Sequence, residues 1–351
     1  MFDWTSILKE SPIEWLLEEA NPSVRYFTLR DILDKNEDDP QVLATKRLIP
    51  ESPVVKKILR KQNPRGYWEE PGNPYHPKYK SSYWQIMTLG QLGMDKTDER
   101  VRKACEYIFR FQSADGAFSS YTQDRTLKEY EWLRKKGKKL PSLEEYAASF
   151  VHEHEYSCLT GNMAAALIRI GYENDPRVQK ALEWLAKIQN RDGGWLCPYW
   201  RAHIKDKHGC FFGTICPLEA FSVASKESLT PKMKETIEKG AQFLLTHRLF
   251  KADHHSYKII NKYWLTLSFP MFYGYSILRG LDVLTKLGYL KDERSNDAVE
   301  ALLQKRQKDG TWILEGSPIG RMQANIEPKG KPSKWVTLIA LRILKRLGSR
   351  S

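Results

Sequence analysis

The chain has 351 residues, with 56 Lys and Arg against 43 Asp and Glu and a formal net charge of +13. That length supplies a large core, and no run of eighteen apolar residues is present, so no integral membrane segment is expected. Five cysteines, an odd number in a chain of this size, argue for cytosolic thiols and against a disulfide framework.

In chain order, Met1-Phe2-Asp3-Trp4 lacks the basic-then-apolar pattern of a signal peptide, which together with the thiols predicts a cytoplasmic protein. A first buried helix is expected from about Pro22 (Ser23-Val24-Arg25-Tyr26-Phe27), and the polar run Asn36-Glu37-Asp38-Asp39-Pro40 reads as a helix-capping loop. Then comes a phrase that recurs: Gln62-Asn63-Pro64-Arg65-Gly66-Tyr67-Trp68, a Gln, polar residues, a Gly and an aromatic. A second buried helix is expected from about Ser81 and an amphipathic one over 99–109, followed by the phrase again at Gln112-Ser113-Ala114-Asp115-Gly116-Ala117-Phe118. Residues 119–156 form an inserted segment with its own helical pattern (Leu127, Tyr130, Trp132, Leu133) and a basic run, Arg134-Lys135-Lys136-Gly137-Lys138-Lys139. Charge runs are usually solvated, so a loop is favoured over an anion site, and no nucleic-acid motif accompanies the run.

A third buried helix is expected from about Ser157, then an amphipathic one with Asp175 as cap and Pro176 at its first position. The best copy of the phrase follows at Gln189-Asn190-Arg191-Asp192-Gly193-Gly194-Trp195, and a fourth buried helix from about Gly209. Near Arg248 a copy is due by spacing, but its Gly-aromatic is missing; a buried helix is expected from about Pro270. The last phrase, Gln307-Lys308-Asp309-Gly310-Thr311-Trp312, precedes a sixth from about Pro332. A phrase returning about every 50–60 residues marks a repeat architecture. Helices apolar nearly all round are buried, and six of them alternating with amphipathic ones predict an inner ring inside an outer ring.

The Gln-x-x-x-Gly-Gly-Trp phrase and the long helical unit resemble the repeat of the squalene cyclase and protein prenyltransferase superfamily, from about Val54 to the C-terminus, and within it a single-chain branch. The resemblance implies an all-α chain, an α/α toroid of about six helical hairpins. It would form one domain over residues 1–351, with the inner-helix N-termini facing one cavity. The insertion 119–156 would then lie at the cavity mouth, either as a lid or as a surface excursion.

The chemistry-bearing residues gather in the third and fourth units. Cys158 and Cys210 open neighbouring inner helices, Cys197 lies in the loop connecting them, and His154 and His208 stand close by in sequence. Three thiols and a histidine suit a zinc ion, and a helix N-terminus favours the thiolate that metal binding needs. The expected metal set is Cys158, Cys197, Cys210 and His208, with Cys158, Cys210 and His154 as catalytic candidates and no nucleotide cofactor. The alternative is that these cysteines are small buried hydrophobes, the reading given to Cys105 and Cys216.

By resemblance, His154-Glu155-Tyr156-Ser157-Cys158-Leu159-Thr160-Gly161 is similar to the segment that supplies the zinc histidine of protein prenyltransferase β subunits. His208-Gly209-Cys210-Phe211-Phe212 is similar to their Asp-x-Cys-aromatic segment, with His208 where the family has Asp and the two segments in reversed order. The acidic protonation motif of squalene cyclases has no match beyond the 36–40 loop, and no magnesium-binding acidic helix is found. The tandem helical repeats of a prenyltransferase α subunit are absent from the sequence.

Aromatics are abundant, with 11 Trp, 17 Tyr and 13 Phe. Tyr83, Trp84, Phe211, Tyr273 and Trp335 are expected to line an apolar cavity, and Lys334, with Arg321, to meet a diphosphate. The reading is a transferase or cyclase acting on a hydrophobic or isoprenoid-like small molecule, with zinc or a thiolate activating a nucleophile. Two other classes stay open: a non-catalytic toroid binding a lipid or a protein, and a zinc enzyme resembling lanthionine cyclases.

Overall fold

The computed structural model describes residues 12–348; Met1-Phe2-Asp3-Trp4 lies outside the described residues. The chain is all-α, as read from the sequence. Among the described residues the helices are α1 (Ile13–Leu16), α2 (Pro22–Phe27), α3 (Pro40–Leu48), α4 (Pro53–Leu59), α5 (Ser82–Gln91), α6 (Glu99–Phe109), α7 (Gln123–Lys135) and α8 (Leu143–Glu153). They continue as α9 (Ser157–Ile170), α10 (Pro176–Lys187), α11 (Phe211–Val223), α12 (Pro231–Thr246), α13 (Ile277–Leu287), α14 (Asn296–Leu303) and α15 (Lys334–Gly348). One two-stranded antiparallel ribbon, β1 (Lys251–Ala252) with β2 (Lys258–Ile259), interrupts them.

The chain falls into two compact units. One comprises the residues up to Ile58, Leu92–Met94 and Ala241 onward; the other comprises Leu59–Gln91 and Asp95–Gly240. In the second unit α5, α9 and α11 are buried along nearly their whole length, whereas α6 and α10 each keep one wet face. Helices α9 and α11 approach closely: a Cβ added at Gly161 would stand 2.4 Å from the Cys216 carbonyl carbon. Only glycine permits that approach. Asp98 and Asp175 cap α6 and α10 by accepting backbone N–H bonds, and Asp39 caps α3, so the acidic 36–40 loop is a capping loop as expected.

The recurring phrase is a staple. Gln112 Nε2 donates to Gly116 O (2.8 Å) within its own turn and to Arg177 O (2.8 Å) in the first turn of α10. Gln189 repeats this with Gly193 O and Thr236 O, both 2.8 Å, and Gln62 with Gly66 O and Arg100 O, at 3.3 and 2.9 Å. The aromatic then enters the core. Trp68, Phe118, Trp195 and Trp312 are all fully buried. Their backbone N–H groups donate to Ser82, Thr160, Thr214 and Thr337, hydroxyls in the first turns of α5, α9, α11 and α15, at 2.9–3.1 Å. Three of the four phrases thus tie one turn to the next amphipathic helix, and all four tie it to the buried helix that follows.

Three expectations shift. The place near residue 248 is taken by a turn in which Arg248 and Leu249 have φ of 42° and 66°, leading into the β1–β2 ribbon. The helix expected from Pro270 begins at Ile277, where Ser276 caps it; the residues before it run through bends, with Ser268 bridged to Gly316. Tyr273 therefore does not lie on a buried helix. The insertion 119–156 is a helical hairpin, α7 and α8, whose basic turn is exposed and whose helices meet through Tyr130 and Tyr146 (ring centroids 5.2 Å apart).

Candidate functional site

The thiols of the second unit come together where the loop after Trp195 passes between the starts of α9 and α11. Trp195 bridges Cys210, and a Cβ at Gly213 would meet the Trp195 carbonyl oxygen at 2.5 Å, so the loop lies directly on the first turn of α11. This sets Cys197 against the start of α9, with Ser157 Oγ 3.8 Å from its sulfur. The Cys197 N–H donates to His203 Nδ1 (3.1 Å), folding residues 197–203 back on themselves. Trp200 packs edge-on against His203 (4.6 Å) and Tyr156 (6.0 Å), which roofs the site with aromatic rings.

The electrostatics separate the thiols. Each thiol is the largest influence on the other: the neighbouring thiol, with burial, pushes Cys158 up and pulls the Cys197 thiol down to about 5. Burial opposes ionisation of Cys197, and contacts with His203 and Ser157 favour it. Cys210, the residue preceding α11, is pushed up by burial, partly offset by N–H groups of Gly213 and Phe212. Cys105 and Cys216 are fully buried, and burial pushes the Cys105 thiol far up. Cys197 is thus the thiol of the cluster whose surroundings favour the thiolate, the form in which a cysteine acts as a nucleophile.

The expected zinc set does not assemble. Among the described residues no group of three or more His, Cys, Asp or Glu side chains is arranged to hold a metal ion. His208 is exposed and turns Nδ1 to the Gly209 carbonyl (2.9 Å). His154 turns Nδ1 to Phe150 O (2.7 Å) and stacks among Tyr121 and Phe150. The histidine that meets a thiol is His203, whose only sequence signal is its place in the same short loop as Cys197; Ser157, next to Cys158, was equally easy to pass over.

The expected cavity residues are placed as follows. Tyr83 is fully buried and donates to Ser119 O (3.3 Å); Trp84 donates from Nε1 to Tyr75 O (2.8 Å) between Tyr75 and Tyr79. Phe211 is buried at the start of α11, and Trp335 stacks on Phe269 with centroids 4.3 Å apart. Lys334 Nζ donates to Trp15 O (2.5 Å) and pairs with Glu18 (2.6 Å).

A separate cavity of about 360 Å³ opens beside the inserted hairpin, with Gln112, Ser119, Tyr121, Thr122 and Glu155 on its wall. Glu155 is buried, and burial raises its carboxyl above the usual range despite His152 Nδ1 at 3.0 Å.

No family model matches the chain. Among curated proteins it is similar to lanosterol synthase erg7A of Aspergillus fumigatus, at 19% identity over 229 residues, 62% of this chain and 28% of that protein. The match thus spans well under a third of that relative's length. Among solved structures, a protein from Actinoplanes aligns over 99% of this chain and 100% of its own at 14% identity and a TM-score of 0.48. The type II terpene cyclase MstE from Scytonema aligns over 93% of this chain and 87% of its own at 14% identity, TM-score 0.43.

Proposed function

We propose that this chain is a terpene-cyclase-like enzyme acting on a hydrophobic, isoprenoid-like substrate, and that its reactive centre is the Cys197 thiolate with Cys158, Ser157 and His203. The observation that carries the reading is the arrangement at Cys197: beside the start of a buried helix, Ser157 Oγ lies 3.8 Å from its sulfur and the His203 imidazole accepts its N–H, surroundings that favour the thiolate. The repeated staple and the similarity to lanosterol synthase support the class of enzyme and the apolar character of its substrate. The chemistry here differs from alkene protonation by an acidic motif, since the 36–40 loop is occupied in capping α3. A thiolate can instead attack an electrophilic carbon or take a proton from a substrate hydroxyl.

The test is reduced, full-length protein incubated with a panel of geranylgeranyl diphosphate, geranylgeraniol and squalene, with binding and product formation measured separately. The expected result is binding of at least one prenyl chain, and turnover that falls on the order of 100-fold in Cys197→Ser with binding changed less than threefold. Absence of binding by every prenyl chain, or turnover unchanged in Cys197→Ser, overturns the proposal. Binding without turnover in the native chain gives the lipid-binding reading instead.

A further inference from the structure

We infer that the cavity at the base of the inserted hairpin is a binding site for a free α-amino acid with an apolar side chain, held by Glu155, Arg110 and the rings of Phe111 and Tyr121. The inference goes beyond the proposed reactive centre and does not depend on it: the residues on this wall include none of Cys158, Cys197, Ser157 and His203.

Three pieces of chain build the walls. The second copy of the recurring phrase closes on itself through the bridge from Gln112 to Phe118, and the residues leading into it, Arg110 and Phe111, join the wall. The segment that enters the hairpin pairs with the segment that leaves it, Ser119 bridging Glu155, which brings both ends of the insertion together. Ser119 Oγ donates to Val151 O (2.8 Å) and the Ser120 N–H to His154 O (3.1 Å), fastening that base. The enclosed volume of about 360 Å³ is within the range of small-molecule sites.

Several polar groups of the wall are engaged with the protein itself: Ser119 with Val151, Thr122 with Gly72, and Gln112 in its staple. Two charged groups of opposite sign differ from these. Glu155 is only 4% exposed, and its carboxylate has His152 Nδ1 at 3.0 Å, part of a half-exposed imidazole. An imidazole is a full counter-charge only when protonated, and a buried carboxylate short of counter-charge favours a cation. Arg110 is exposed, with its guanidinium 5.8 Å from the Tyr107 ring centroid, and it has no ion-pair partner among the described residues. Asp124, the other acid on the wall, is exposed and solvated. A ligand with an ammonium and a carboxylate satisfies Glu155 and Arg110 at once. Phe111, Tyr121 and Val151 supply the apolar part of the wall, so the third substituent is apolar. A prenyl chain would leave Glu155 buried without a cation.

The experiment is isothermal titration of the reduced full chain with L-phenylalanine and L-leucine, and with three relatives of phenylalanine. Of these, 2-phenylethylamine lacks the carboxylate, 3-phenylpropionate lacks the ammonium, and D-phenylalanine reverses the hand. The expected result is binding of an L-amino acid with a Kd of about 1 mM or tighter, and at least about tenfold weaker binding of each relative. Arg110→Ala should weaken L-phenylalanine about tenfold and leave 2-phenylethylamine unchanged. Glu155→Gln, which keeps the side-chain shape, should weaken L-phenylalanine about tenfold and leave 3-phenylpropionate unchanged. Cys197→Ser should bind as the native chain does. No binding of either L-amino acid up to about 10 mM, a relative that binds as tightly as L-phenylalanine, or affinity unchanged in Arg110→Ala or in Glu155→Gln overturns the inference. Loss of binding in Cys197→Ser overturns it too, by placing the ligand at the thiols. The comparison of ligands uses the native chain alone, so it stands even where a variant fails to fold.

Discussion

A thiol near pH 5 and a thiol well above its ordinary value, side by side, are one proton shared unequally. At Cys197 the donors outweigh burial, which favours the thiolate. The sign is that of a depressed acid: the thiolate is lost only as pH falls through about 5. Alkylation of Cys197 by iodoacetamide should therefore level off above about pH 6, whereas an ordinary thiol, with a pKa of about 8.5, keeps accelerating up to pH 9. His203→Ala and Ser157→Ala each remove a group that favours the thiolate, so both should move the midpoint upward; Cys158→Ala, removing the largest influence, should move it furthest. Peptide-resolved alkylation rates between pH 4 and 9 check this, and a midpoint unmoved in all three variants contradicts the arrangement. The sequence placed three cysteines in one neighbourhood because they open or join neighbouring helices. It did not show which two would pair, nor that His203 would be the imidazole beside them, because both depend on how a short loop folds back over a helix start. The partner of Lys334 was out of reach for a related reason: Glu18, which meets this lysine at a helix start, is far away in sequence.

At the scale of elements, helical periodicity and caps made most of the fold legible. Asp175 and Pro176 fall where expected because a cap is a local matter. The recurring phrase was legible as a repeat but not as a device. In the first three copies its Gln carries hydrogen bonds to two carbonyls, one of them 65 residues further on for Gln112. Its Gly has a positive φ in every copy, and at Gly193 an added Cβ would lie 2.4 Å from the Lys239 carbonyl oxygen. Gly137, in the basic turn of the insertion, also has a positive φ, 75°, but nothing lies within 4 Å of an added Cβ. The two glycines separate conformational strain from collision. Gly137→Ala should cost about 1 kcal/mol, the left-handed penalty alone. Gly193→Ala adds a backbone clash that cannot relax, and should cost at least ~3 kcal/mol. Gln112→Ala, leaving two carbonyls without their donor, should fall between, at about 1–3 kcal/mol. Urea denaturation of the three variants against the native chain measures the order. Equal losses at positions 137 and 193 would show that the turn yields where the packing says it cannot. The start of α13 was misplaced because Pro270 resembles a helix-opening proline, whereas the cap that fixes the start is Ser276.

At the scale of the whole chain, two compact units and the ties between distant segments were beyond reach of the sequence, since both depend on long-range pairing. The clearest such tie joins the two ends of the described chain within the first unit. From α15, Lys334 holds Trp15 O and Glu18, Arg342 reaches Asp31 (2.6 Å), and Lys345 reaches the Asp31 and Ile32 carbonyls and Asp34. Arg342 also meets Asp282 of α13 (3.3 Å), which pairs with Lys286 (2.6 Å). Asp282 and Arg342 are both buried. Burial alone would raise the Asp282 carboxyl, but Lys286 and Arg342 outweigh it and hold the group well below the usual carboxylate range. The folded value is depressed, so the stabilisation is present above the unfolded value of about 3.9 and is lost as pH falls from there toward the folded value. Breaking the set from one side leaves buried charge uncompensated: Arg342→Met should cost about 3–5 kcal/mol at pH 7. It also removes one of the two cations that depress Asp282, so the folded value moves back toward the unfolded one and the part of the stability lost to acid should be smaller than in the native chain. Adding Asp282→Leu removes the stranded carboxylate and should recover most of the loss, because apolar replacement of a buried pair is often close to neutral. Hydrogen exchange of the α13 and α15 peptides at pH 7 and pH 4.5 reads the effect where it arises. Exchange in Arg342→Met no faster than in the native chain at either pH would mean that packing, rather than this ion set, holds α15 to the N-terminal segment.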